Sequence, residues 1–162
     1  MLPSGEGLRI GLIWSGESRA HSDQSLSLRH LAPLLRLPGI TWYSLQPGEQ
    51  GAELTQLPEA KGVQDLSPNI QDFTEAAALA GQLDLIISVD APLAHLAGGL
   101  GLPLWVLLPS APDWRWTTDG ETAHWYPTAR PFHQSRPGDW ASVVDEVRRV
   151  LESSARRDAD AR

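Results

Sequence analysis

The stretch DLIISVDAPLAHLAGGLGLPLWVLLP, Asp84 to Pro109, constrains the fold more than any other part of the chain. Asp84 to Val89 is a short apolar run rich in β-branched residues and bounded by Asp90 and Pro92, the pattern of a buried strand. Asp90 is placed to cap a following helix by accepting from its first amides, and Pro92 suits the first turn, where its missing N–H matters least. Leu93, Leu96, Ala97 and Leu100 recur at helical spacing and make a stripe to face a sheet. Leu102 to Leu108 is the next apolar strand. This order sets a helix N-terminus at the carboxyl end of a parallel strand, where open α/β sheets hold phosphate-bearing ligands. His95 lies about 150° around the helix from the centre of that stripe. It shares its face with Ala91 and Gly98, flanked by Ala94 and Gly99. A lone histidine among small residues reads in two ways: as a point of close approach for a ligand or domain, or as a histidine on a tightly packed helix.

The rest of the chain alternates in the same manner. Leu8 to Ser15 is an apolar first strand with Gly16 in the turn, and Ser27 is placed to cap a helix from Leu28 to about Leu37, bent or begun at Pro33. Ile40 to Gln46 is a second strand ended by Pro47-Gly48, residues 49–58 a short helix, and Val63 to Leu66 a minor strand. Asp72 and Glu75 have capping-box spacing for a helix from Phe73 to Ala80, which Gly81 ends. After a long loop at 109–128, Arg130 to Gln134 is a last strand. Asp139 then caps an amphipathic helix with Trp140, Val143, Val144, Val147 and Leu151 on one face. The expected fold is α/β, a Rossmann-like three-layer sandwich with a mainly parallel sheet. Residues 1–7 are expected to be a flexible N-terminus, 8–152 one domain, and 153–162 a disordered tail.

Several function classes are excluded. A net charge of −7 and the lack of a basic stripe speak against a nucleic-acid binder. No cysteine is present and the histidines have no metal-ligand spacing, so no metal and no thiolate chemistry are expected. The first strand runs into WSGESRAHSD, whose single glycine fits neither the dinucleotide fingerprint nor a P-loop, and no G-x-S-x-G elbow occurs. No apolar run has the length of a membrane span and no signal peptide is visible, which makes a cytoplasmic location the expectation.

The loop PSAPDWRWTTDGETAHWYPTAR gathers Asp113, Trp114, Arg115, Trp116, Trp125 and Tyr126 after the strand at 102–108. Aromatic faces there can stack on a base or a sugar, and Arg115 or Arg130 can pair with phosphate. For most of the tryptophans the expectation is instead that the rings fold back into a small cluster that pins the loop, since exposed tryptophan is unusual. Trp14, Trp42, Trp105 and Trp140 are expected in the core.

SVDAPLAHLAGGLGLPLWVLLPSAPDWRW resembles the carboxyl-terminal half of heptosyltransferase-like glycosyltransferases of family 9, and looks nearest to the bacterial branch that follows tetratricopeptide repeats. The likeness takes in IGLIWSG, SLRHLAPLLRLPGITWYSLQPG, DLSPNIQDFTEAAAL and WYPTARPFHQSRPGDWASVV, about residues 8 to 152. It implies the carboxyl-terminal half of a GT-B enzyme, whose two Rossmann-like halves face a cleft and whose carboxyl-terminal half holds a nucleotide-sugar donor, with no metal generally needed. Asp90 and His95 match the family's D-[ST]-x-x-x-H donor motif. By the same resemblance the donor-binding set is Ser15, Gly16, Gln46, Asp72, Phe73, Asp90, Ala91, Leu93, His95, Asp113, Trp114 and Arg115, with no catalytic residue in this chain. The family's hydroxyl residue is Ala91 here, followed by Pro92, and its W-[SA]-G-N-P is WSGES, with Glu17 where an amide stands. One hydroxyl donor and one backbone N–H toward a diphosphate are therefore missing. The resemblance puts the acceptor half and its catalytic base outside this sequence, so that it is either a domain cut from a longer protein or a half that works with a partner or not at all. The expected function is donor binding, with glycosyl transfer only beside an acceptor half. The alternatives are a degenerate interaction or scaffolding module and, more remotely, another nucleotide-binding α/β protein.

Overall fold

Two runs of buried apolar residues form the centre of the molecule. In the computed structural model they are β1 (Leu8–Ile13) and β4 (Leu85–Val89), paired in parallel with Ile10 opposite Leu85 and Leu12 opposite Ile87. The structure describes residue 2 and residues 7–16, 26–116 and 123–160, with side chains through 154. β2 (Ile40–Ser44) pairs with the other edge of β1, and the two-residue β3 (Gln64–Asp65) pairs with β2. β5 (Leu104–Leu108) pairs with β4, and β6 (Ala129–His133) completes the sheet. All pairings are parallel and the order is β3-β2-β1-β4-β5-β6. This is the Rossmann-like α/β architecture expected from the alternation. β1 to β5 are each shorter than the expected run by one or two residues, and β6 keeps its expected length but starts one residue earlier, at Ala129.

The helices divide into two layers. α1 (Ala32–Leu35), entered through a 3₁₀ turn at Leu28–Leu31, packs with α5 (Trp140–Asp160). α3 (Phe73–Ala80) packs with α4 (Pro92–Gly99). A short α2 (Glu53–Gln56) lies between 3₁₀ turns at Glu49–Ala52 and Pro58–Gly62. The single helix expected from Leu28 to Leu37 is thus broken into a 3₁₀ turn and α1, with Pro33 in the first turn of α1 as a residue lacking N–H requires. Trp140, Val143, Val144, Val147 and Leu151 of α5 are all buried, each worth about 1.5–3 kcal/mol of burial. Asp139 caps that helix by accepting from the Ser142 N–H at 3.1 Å and its hydroxyl at 2.7 Å.

Four expectations are corrected. The helix of residues 140–160 continues through most of the segment expected to be a disordered tail. In its first two residues the Ser153 and Ser154 hydroxyls donate to the Arg149 and Val150 carbonyls one turn back. Leu2, expected in a flexible N-terminus, is buried and its N–H donates to Gln82 Oε1 at 2.9 Å. Leu100, counted in the stripe of α4, is 51% exposed because the helix ends at Gly99 and its last turn passes the sheet. Asp90 does not cap α4: the N-cap is Ala91, in extended conformation with no side-chain cap bond.

Candidate functional site

The sheet order reverses between β1 and β4, so the loops after these strands run to opposite sides and leave a crevice at their carboxyl ends. A pocket of about 440 Å³ occupies this crevice. Its walls are Ile13 at the end of β1 with Ser15 and Gly16 after it, Gln46 to Gly48 and Gln50 after β2, Phe73 at the start of α3, and Ala91 to Leu93 at the start of α4. Gly16 permits this closeness, since a Cβ there would stand 2.5 Å from the Asp90 carbonyl oxygen. The wall between β1 and β4 is therefore main chain against main chain.

Two side chains hold the other wall. Gln46 is 2% exposed, and its Oε1 accepts from the Trp14 and Ser15 N–H groups at 2.9 Å each. Its Nε2 donates to the carbonyls of Ser15 at 3.2 Å and Pro47 at 3.0 Å. Glu53 of α2 accepts from Trp14 Nε1 at 3.2 Å and from the Leu28 N–H at 2.8 Å. Asp72 caps α3 by accepting from the Thr74 and Glu75 N–H groups, which engages its carboxylate with the helix. Glu75 reaches back to the Gln71 N–H rather than to that of Asp72, so the capping box closes one residue early. Phe73 is 61% exposed at the rim.

A second cluster lies beside the pocket on the β4–β5 side. Asp90 Oδ1 is 2.8 Å from His95 Nε2, and His95 Nδ1 is 2.9 Å from the Tyr126 hydroxyl. With a neutral ring, Nε2–H donates to the carboxylate and Nδ1 accepts from the tyrosine. Trp116, fully buried, lies 4.8 Å from the His95 ring and 5.3 Å from that of Tyr126. Tyr126 also covers Gly98, where a Cβ would meet its ring at 2.6 Å. The small residues around His95 thus receive an aromatic side chain of the same molecule, and the Asp90 carboxylate is engaged with His95.

Asp113 and Arg115 face one another, with Nε donating to Oδ1 at 2.8 Å and Nη2 to Oδ2 at 3.3 Å. The hydrogen bond from Arg115 holds the Asp113 carboxyl below its ordinary range, and Asp113 raises the Arg115 guanidinium in turn. Arg115 also feels the charge of Asp90, which sets this pair next to the histidine cluster. The expectation that most loop tryptophans fold back is corrected. Trp116 does, whereas Trp114 and Trp125 are 60% and 61% exposed and meet edge to face with centroids 5.4 Å apart. Trp14, Trp42 and Trp140 are buried as expected. Trp105 is half-buried, 5.3 Å from Phe132.

Of the residues singled out from sequence, Ser15, Gly16, Gln46, Phe73, Ala91 and Leu93 meet at the pocket. Asp72, Asp90, His95, Asp113, Trp114 and Arg115 stand apart from its lining, and Glu17 lies outside the described residues. Sequence reasoning missed Ile13, Pro47, Gly48, Gln50 and Pro92 as walls, and Glu53 as their support. The Pro47-Gly48 turn was visible as the end of a strand, and strand ends beside a reversal of sheet order are the signal that would have placed it. Among the described residues no three acidic or histidine side chains group as metal ligands, and no helix is long and apolar enough to cross a membrane.

No family model matches the chain. Over 158 residues it is 30% identical to Protein FlbA of Caulobacter vibrioides, a match covering 93% of this chain and 26% of that protein. The structure is similar to that of E. coli ADP-heptose lps heptosyltransferase II, with a TM-score of 0.61 and 19% identity, over 94% of this chain and 49% of the other. The likeness shows the fold. The chain spans about a quarter of the first relative and about half of the second.

Proposed function

We propose that this chain is the donor-binding domain of a GT-B type glycosyltransferase and holds a nucleoside-diphosphate sugar in the pocket between β1 and β4. The observation that carries the reading is the position of that pocket, at the point where the sheet order reverses and beside the start of α4. The second helical residue, Leu93, has an N–H with no intrahelical acceptor by its position, and it lines the pocket. The solved protein of similar fold is an ADP-heptose heptosyltransferase, a transferase that uses a donor of this class. Transfer itself is proposed only in company with an acceptor-binding half, because this chain spans about half of that enzyme. The donor is proposed to bind without a metal ion.

A second reading, a degenerate interaction module, is favoured by one observation: Asp90 bonds to His95, and His95 to Tyr126, and neither lines the pocket. Calorimetry with UDP, ADP and GDP, with and without EDTA, separates the two. Weak heat with one nucleotide, unchanged by EDTA, supports donor binding; no heat with any at millimolar concentration supports the module. Sugar transfer by this chain alone would refute the claim that it is half of an enzyme.

A further inference from the structure

We infer that Gln46 turns this pocket toward uncharged ligand groups, because its amide oxygen occupies the point where the turn after β1 would otherwise hold an anion. The inference rests on reading the pocket as the nucleotide-sugar site. Two successive main-chain N–H groups that converge on one point form an anion-binding concavity. The N–H groups of Trp14 and Ser15 converge in this way, and both end 2.9 Å from Gln46 Oε1. The amide can be oriented in only one sense, since its nitrogen must donate to the Ser15 and Pro47 carbonyls while its oxygen accepts from two amides. All four groups are satisfied, and the side chain is buried. Gln46 thus acts as an extra peptide unit, continuing the β1–β2 pairing past Leu12 and Ser44.

The other anion contacts in the pocket are weak for separate reasons. Ala91 has no hydroxyl and Pro92 no N–H, so the start of α4 offers little beyond the Leu93 amide. Arg115 is already bonded to Asp113. The polar side chains of the lining, Ser15, Gln46 and Gln50, are neutral, and the rest are apolar or glycine. Such walls fit a nucleoside or a sugar ring, with the phosphates at the mouth in water.

Calorimetry on the whole chain compares adenosine, uridine and guanosine with their diphosphates, with free glucose, and with pyrophosphate alone. The expected result is a diphosphate no more than about threefold tighter than its nucleoside and nearly insensitive to salt, since ions in water are screened at physiological strength. Binding of glucose and not of nucleosides would assign the pocket to the sugar ring. Gln46→Ala, checked for folding by thermal melting, should acquire pyrophosphate binding. It should also raise the ratio of diphosphate to nucleoside affinity by at least about tenfold, as hydrogen bonds to a charged group would. A wild-type diphosphate more than about thirtyfold tighter than its nucleoside, a gain that hydrogen bonds to a charged group could supply, would overturn the inference. So would an unchanged ratio in folded Gln46→Ala. If the variant does not fold, the wild-type ratio decides. If the wild type binds none of these ligands, donor binding is lost while the inference stands or falls on pyrophosphate binding to Gln46→Ala or, should that not fold, Gln46→Ser.

Discussion

The carboxyl edge of the sheet is built in two different ways. On the β1–β2 side, Gln46 and Glu53 bond to main chain and to one indole, and the space between the loops stays open as a pocket. On the β4–β5 side, His95, Trp116 and Tyr126 pack on one another and fill the corresponding space with rings. Both sides carry residues that a motif would assign to ligand contact, yet Asp90 and His95 of the second are bonded to neighbours rather than lining the pocket. A side chain of the right type at the right spacing can be used by the protein itself. What separates the two regions is whether a neighbour in space, invisible in the local sequence, has already taken its hydrogen bonds.

This contrast is open to direct test, beginning with the largest effect. Trp116→Ala empties a fully buried ring site and should destabilise the domain by about 3–5 kcal/mol, read by urea unfolding. If the two regions are built separately, nucleotide affinity in the variant that remains folded should change by no more than about twofold, the scatter expected for independent sites. A large loss of affinity would join the two regions into one site.

Glu53→Ala leaves the Trp14 Nε1–H and the Leu28 N–H without their acceptor, at about 1–3 kcal/mol. Here affinity should fall along with stability, because Trp14 leads directly into the wall at Ser15 and Gly16. Ala91→Thr should act in the opposite direction. Threonine is a far better N-cap than alanine and should raise stability by about 0.5–2 kcal/mol. A rise in melting temperature with tighter ADP or UDP binding would place the new hydroxyl at the ligand, and a rise with unchanged binding would confine it to the cap.

Tyr126→Phe keeps the ring over Gly98 and removes only the hydrogen bond to His95, about 0.5–1.5 kcal/mol. His95→Ala should lower the melting temperature further, since it also frees Asp90 and exposes Trp116. If it instead leaves stability intact and abolishes nucleotide binding, His95 is a ligand contact and the division drawn here fails.

The smallest effect lies at the other edge of the sheet, where Arg9 and Asp84 join β1 to the start of β4. The hydrogen bond from Arg9 holds the Asp84 carboxyl below its ordinary 3.8. A depressed carboxyl contributes stability above its unfolded value and loses it as pH falls through the folded one. Asp84→Asn should therefore lower the melting temperature slightly at neutral pH, and the difference from wild type should shrink below the ordinary carboxyl value. The pair is partly exposed, so the shift should also shrink in salt.

The alternation of β-branched strands with capped helices made the fold legible from residues alone. Asp72 before Phe73, and Asp139 before the stripe of α5, act only on amides two or three positions away, and such short-range geometry survives in sequence. Asp90 looked equivalent and is not. Its partner His95 is five residues on, and His95 is held by Tyr126 a further 31 residues away, so its role depends on how a distant loop packs. Gln46 belongs to the same class, since its acceptors and donors lie 31 and 32 residues back along the chain as well as next to it. Half of the expected site residues reached the pocket because strand ends at a sheet reversal converge whatever their side chains do.

The contact between Gly16 and the Asp90 carbonyl has a consequence for altering this protein by design. A wall of main chain offers no side chain to exchange. Any residue larger than glycine at position 16 would force the turn away from the end of β4 and deform the pocket rather than re-line it. Changing what the pocket accepts must therefore proceed from the opposite side, through Phe73, whose side chain is exposed at the rim, and through Gln50 after β2.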